Sequence, residues 1–135
     1  MSGISPLIDP SLIQTWIVCE SDQRWMTASR RFATHLVPAP MTVNLVSAEP
    51  NLVRRLLIGK RKAVVLWEID GSCAARMYDL VASTSLGAPG ILQIVAANGI
   101  TPRDQMALTE LGVGAIISQP EQLPGLSNLC LRYFK

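Results

Sequence analysis

The chain has 135 residues, the length of one compact domain. This excludes a two-lobed enzyme with separate cofactor and substrate domains, yet leaves enough chain to bury a core without disulfides or metal. Hydrophobic residues make up 49% and charged residues only 16%, so charge-rich disorder is excluded and the surface is unusually neutral, while a net charge of +2 is too balanced for the electrostatic footprint of a nucleic-acid binder.

Hydrophobic period divides the chain into a lead segment over 1–14 and a single domain over 15–135 in which short β-rich runs alternate with helical patterns. The first run is Thr15-Trp16-Ile17-Val18-Cys19, bounded by the polar Glu20-Ser21-Asp22. Trp25, Ala28, Ser29, Phe32, Ala33 and Leu36 then fall at helical spacing, with Arg24, Arg30 and Arg31 on the other side. Pro38 and Pro40 stop that helix, and Thr42 to Val46 is the second strand. Ser47 is a candidate cap for a second helix with Pro50 in its first turn, a buried stripe of Leu52, Val53, Leu56 and Leu57, and an end at Gly59.

Lys62 to Trp67 is nearly all apolar, as expected of a central strand covered on both faces. Ser72 is a candidate cap for a third helix carrying Cys73, Met77, Leu80, Val81 and Thr84, closed by Gly87, Pro89 and Gly90. Ile91 to Ala97 is the fourth strand. Asn98-Gly99 turns the chain into a short fourth helix, with Thr101 as cap, Pro102 at its first position, Asp104 in its first turn and Gly112 just past its end. Val113 to Ser118 is the fifth strand, and Leu126, Leu129, Cys130 and Tyr133 stripe a final short helix.

Five strand-helix units predict an α/β fold: a doubly wound five-stranded parallel sheet, flavodoxin-like, in order 2-1-3-4-5, with helices on both faces. The ligand crevice of such a sheet lies beyond the carboxyl ends of the strands where the winding reverses, here between strands one and three. That singles out Cys19, Glu20, Ser21, Trp67, Glu68, Ala96, Ala97, Ser118 and Gln119.

From about Thr15 to Phe134 the chain resembles the receiver domain of bacterial two-component response regulators, a likeness carried by the order of several short stretches. Val18-Cys19-Glu20-Ser21-Asp22 resembles the family's Val-Asp-Asp run after strand one, and Ala63 to Trp67 the apolar strand that ends in the phosphorylated aspartate. Val95-Ala96-Ala97 resembles its Thr/Ser-Ala after strand four. The most specific stretch, Leu111 to Pro120, resembles its Leu-Gly-Ala segment running into Lys-Pro.

Carried over position by position, the resemblance puts the acceptor aspartate on Trp67, the first of the paired metal-binding acids on Cys19, the switch hydroxyl on Ala96 and the phosphate-contacting lysine on Gln119; only Glu20 stays acidic. Hard octahedral magnesium needs several oxygen ligands, and a phosphoryl group needs cations to balance it. The resemblance therefore implies a degenerate acceptor pocket of Cys19, Glu20, Trp67, Glu68, Ala96 and Gln119, with no catalytic residue, metal or cofactor. Sliding the match by one puts Glu68 at the acceptor place, and Asp70 is a further substitute, although Asp70 before Gly71 and Ser72 reads more simply as a turn or capping residue. At the end of the central strand Trp67 is expected to plug the crevice, its indole N–H seeking an acceptor such as Glu20.

Other chemistries are poorly supplied. The segment Glu20-Ser21-Asp22-Gln23 has no glycine and two acids that would repel phosphate, which weakens the alternative of a small-molecule or nucleotide-binding domain on the same fold. His35, the only histidine, sits near a helix C-terminus, where the helix dipole accounts for it. Cys19, Cys73 and Cys130 are odd in number and widely spaced, so they read as buried hydrophobes. Arg54-Arg55 with Lys60-Arg61-Lys62 reads as a solvated face or a docking patch for an acidic partner, and Trp16 and Trp25 as core.

The expectation is a stand-alone receiver-like domain that is not an enzyme and acts in signal transduction by phosphorylation-independent protein contact, with a protein partner or itself. The resemblance places that contact around helix four, strand five and helix five, hence Arg103, Met106, Leu111, Gln119, Leu126 and Tyr133, where a homodimer could also form. Neither nucleic acid nor membrane is expected as a partner. With no leader pattern and no apolar run of about eighteen residues, the cytoplasm is the expected location.

Overall fold

Strands β1 (Ile13–Cys19), β2 (Thr42–Ser47), β3 (Ala63–Ile69), β4 (Ile91–Ala97) and β5 (Ala115–Ile117) form one sheet. They run in the order β2-β1-β3-β4-β5, and each neighbouring pair is parallel. This is the doubly wound order that the alternation of segments predicts. The computed structural model describes residues 12–70 and 74–134. The helices are α1 (Arg24–Thr34), α2 (Val53–Leu56), α3 (Ala74–Gly87), α4 (Pro102–Glu110) and α5 (Ser127–Leu131). Ser72 and Cys73, the expected cap and first core residue of α3, lie outside the described residues.

Each strand sends alternate side chains to opposite faces, and the centre of the sheet is apolar on both. On one face Trp16, Val18, Val64, Leu66, Leu92 and Ile94 meet Trp25 and Met26 of α1 with Leu123, Cys130 and Phe134 from the C-terminal end. Trp16 stacks edge-on against Phe32 with centroids 5.8 Å apart, so Trp16 and Trp25 are core, as expected. On the other face Ile17, Cys19, Val65, Trp67, Ile69 and Val95 meet Val53, Leu57, Met77, Val81 and Leu108 from α2, α3 and α4.

Several boundaries differ from expectation. β1 begins at Ile13, because Ile13 and Gln14 pair with Thr42 and Val43, so two residues of the lead segment belong to the sheet. β3 continues past Trp67 because Glu68 and Ile69 pair with Ala96 and Ala97. β5 is shorter than Val113 to Ser118, and only Ala115 to Ile117 pairs with β4.

The second and last helices are mostly tighter coil. Pro50–Leu52 is a 3-10 turn preceded by Glu49, Ser47 remains in β2 rather than capping, and α2 is a single turn. The tighter winding leaves Leu52 40% exposed while Val53 and Leu57 are buried. Pro120–Leu126 is likewise 3-10, with Pro124 inside it, and hands over to a five-residue α5. By contrast α4 forms as expected: Thr101 Oγ1 accepts from the Asp104 N–H at 3.1 Å. Gly112 takes φ +103° just past its end, where a Cβ would also stand 2.6 Å from Ser85 Oγ.

Candidate functional site

The carboxyl ends of β1 and β3 meet where the winding reverses, with Cys19 opposite Trp67 and Glu68 opposite Ala96. Pairing fixes what each side chain faces. Cys19 and Trp67 point to the face covered by α3, whereas Ala96 points to the face covered by α1. Cys19 is 1% exposed, Trp67 0% and Ala96 2%. Burial pushes the thiols of Cys19 and Cys130 up to about 12, which keeps them protonated and unreactive.

Trp67 does not plug the crevice, and its indole does not reach Glu20. Because β3 runs two residues further than the apolar run suggests, the ring lies below the mouth, inside the core under α3. Trp67 Nε1 donates to Gln93 Oε1 at 2.8 Å. Gln93 Nε2 donates in turn to the Val81 carbonyl at 3.2 Å and to Ser85 Oγ at 2.7 Å, and Ser85 Oγ donates to the Leu111 carbonyl at 2.6 Å. One buried chain of polar groups thus ties β3, β4 and α3 to the turn that follows α4. Neutral groups that satisfy one another in a core hold a single arrangement, since losing one member leaves the others buried and unpaired.

The acids at the mouth serve the backbone. Glu20 Oε1 and Oε2 accept the N–H groups of Trp25 and Met26, both at 2.6 Å. The residue in the cap position of α1, Gln23, makes no side-chain cap bond, so Glu20 satisfies the exposed donors of the first turn and sets its charge against the helix dipole. Burial raises the Glu20 pKa, opposed by the two N–H bonds and reinforced by Asp22. Asp22 Oδ1 accepts from the Arg24 N–H at 2.9 Å. Glu68 Oε1 accepts the Ser21 N–H at 3.2 Å and the Ser21 hydroxyl at 3.1 Å. Among the described residues no three His, Cys, Asp or Glu side chains form a group that could hold a metal ion.

A cation is present at the crevice, contributed by a residue the helical pattern assigns to solvent. Arg24, the first residue of α1, donates from Nη2 to Gln119 Oε1 at 2.7 Å, and its guanidinium stands 5.6 Å from the Trp25 ring centre. Gln119 therefore joins the loop after β5 to α1, and Gln122 Oε1 fixes that loop by accepting the N–H groups of Ser118 at 2.6 Å and Gln119 at 2.9 Å. The sequence does hold one signal for Arg24, its position at the start of the helix that leaves the crevice loop. Its partner is 95 residues away.

The six residues expected on one contact face are distributed. Arg103 and Met106 are exposed on α4, with Met106 at 66%. Leu111 is half-buried against the core beneath α3 and α4, while Leu126 and Tyr133 are half-buried against the opposite core. Gln119 lies at the crevice with Arg24. His35 ends α1 and is exposed beside a concavity of about 650 Å³ between α1 and the Pro120–Leu126 turn.

No protein-family model and no curated protein matches the sequence. Solved structures do match in shape. A CheY-like protein (tadZ) from Pseudomonas aeruginosa PAO1 superposes with a TM-score of 0.68 at 14% identity, over 87% of this chain and 92% of the other. A CpaE2 pilus assembly protein from Sinorhizobium meliloti 1021 gives 0.65 at 17% identity, over 86% and 98%. An atypical orphan response regulator with a phosphorylation-independent regulatory mechanism gives 0.60 at 12% identity, over 89% and 97%. The chain has the fold of CheY-like response-regulator receiver domains.

Proposed function

We propose that this receiver-fold chain is a degenerate receiver that works in the cytoplasm by protein-protein contact, with another protein or a second copy, and without aspartyl phosphorylation. The observation that carries this reading is the state of Trp67, which the resemblance sets at the acceptor position. Trp67 has no oxygen nucleophile, is fully buried, and is bonded through Gln93 and Ser85 to the turn after α4. In a switching receiver, the acceptor site and the helix that responds to it must move between two states. Here neutral hydrogen bonds through Gln93 and Ser85 make that connection, which favours a single position of α4. The contact face we assign is the exposed pair Arg103 and Met106 on α4.

Two neighbours support the reading. The orphan regulator has a phosphorylation-independent regulatory mechanism, and the Sinorhizobium meliloti neighbour is described as a CpaE2 pilus assembly protein. The test is phosphoryl transfer. Radiolabelled acetyl phosphate with magnesium gives no acid-labile incorporation into the full chain, and beryllofluoride leaves its amide spectrum unchanged. Saturable incorporation at Glu68 or Asp70 overturns the proposal.

A further inference from the structure

At the opposite end of the sheet the chain gathers charge of one sign. From Pro50 to Trp67 it carries five basic residues and no acid, and from Leu80 to Pro102 no charged residue at all. The fold sets the turn after α2 beside the C-terminal end of α3. Gly90 permits this approach, because a Cβ there would collide with the Arg61 carbonyl. Arg54 reaches across from α2, its guanidinium 3.8 Å from where a Cβ on Gly87 would stand. Arg54, Lys60, Arg61 and Lys62 are all exposed there, whereas Arg55 lines a groove with Glu20 and Glu49 at the carboxyl ends of the strands. Exposed beside those four cations are Ile58 at 77% and Leu86 at 87%, the two most exposed large hydrophobic side chains among the described residues. Gly59, at φ +78°, turns the chain directly after Ile58. Glu110 ends the neighbouring α4, but it lines a separate groove with Met106 and Ala115.

We infer that this surface docks on an anionic lipid bilayer, as a peripheral contact. The two aliphatic tips suit the boundary between headgroups and acyl chains, and the long basic side chains keep their charged ends among lipid phosphates while their stems lie against apolar surface. A protein partner would need a shaped recess for each aliphatic tip, whereas a bilayer needs none. A concavity of about 260 Å³ between the two connections, walled by Arg54 and Lys60, adds room for a headgroup. No described helix is long and apolar enough to cross a membrane. The crevice and the start of α4 lie at the other end of the strands and stay accessible.

Sedimentation of the full chain with vesicles tests this. The chain is expected to sediment with mixed phosphatidylglycerol and phosphatidylcholine vesicles, to ignore pure phosphatidylcholine, and to be released by salt. Reversing Lys60, Arg61 and Lys62 together to Glu weakens partitioning at least about tenfold, and Ile58→Ser with Leu86→Ser weakens it about tenfold. All five positions are exposed, and circular dichroism checks that both variants fold. Failure to sediment with phosphatidylglycerol vesicles overturns the inference, as does binding that survives the charge reversal. Retention on immobilised polyglutamate without vesicle binding also overturns it and assigns the patch to an acidic protein.

Discussion

Glu20, Asp22 and Glu68, near the carboxyl ends of the strands, all accept backbone N–H groups of the β1–α1 connection or of the first turn of α1, whereas Arg54, Lys60, Arg61 and Lys62 stand exposed near the amino end of β3. The two ends of one sheet thus use charge for opposite purposes. A helix that starts at a strand end leaves N–H groups without partners, and the nearby acids meet that need. Carboxylates committed to the backbone are poorly placed to bind metal or take up phosphate. The cations at the far end satisfy no comparable internal demand, so their concentration on one surface points outward.

Disturbing the wired end should cost the most. Trp67→Asp, which restores the receiver's acceptor type in sequence, buries a charge in the core and opens a cavity. Urea unfolding should show a loss of more than about 4 kcal/mol, with no gain in phosphorylation. If Trp67→Asp instead folds normally and accepts phosphate, the fixed wiring is wrong. Next comes Gln93→Leu, which leaves the buried Trp67 indole N–H without its acceptor and should cost about 1–3 kcal/mol. Combined with Trp67→Phe, its cost should fall short of the sum of the two single changes, because the indole and the amide are lost together.

Glu20→Ala removes the carboxylate that caps α1 and should cost about 1 kcal/mol. Amide exchange at Trp25 and Met26 should accelerate, with Glu20→Gln recovering part of the protection. The smallest effect is expected at the start of α4. Proximity to the Tyr78 hydroxyl, together with the Thr101 cap, lowers the pKa of Asp104. A folded-state pKa that lies below the unfolded one contributes stability above the unfolded value and loses it as the pH falls through the folded value. Denaturation midpoints of Asp104→Asn should therefore lie below those of the unmodified chain at neutral pH and converge with them in acid. An unchanged gap at low pH would remove Asp104 from the comparison.

Much of this was legible in the residues. Ile91 to Ala97 reads as a strand with both ends correct, because Gly90 and Asn98-Gly99 bound an apolar run broken only by Gln93. The end of β3 was not legible, since Glu68 interrupts the apolar run and only its pairing opposite Ala96 extends the strand. The second and fifth helices carry apolar residues at spacings that a 3-10 turn satisfies about as well as an α-helix, and Pro50, Pro120 and Pro124 favour the tighter form. At the candidate site, the lack of an oxygen nucleophile at Trp67 and of a positive charge at Gln119 could be read from residue types. The hydrogen bonds of Trp67 to Gln93 and of Arg24 to Gln119 could not.

The sequence by itself determined the sheet order, the placement of Trp16 and Trp25 in the core, and the absence of an oxygen nucleophile at Trp67, because periodicity and residue chemistry are local properties. Tertiary structure decided what each charge and each buried polar group does. Only the packing of segments far apart in the chain sets Gln93 beneath Trp67, Arg24 against Gln119 and the end of α3 at Gly87 beside Arg54. The low overall charge hid this division, in which acids serve one end of the sheet and cations collect at the other.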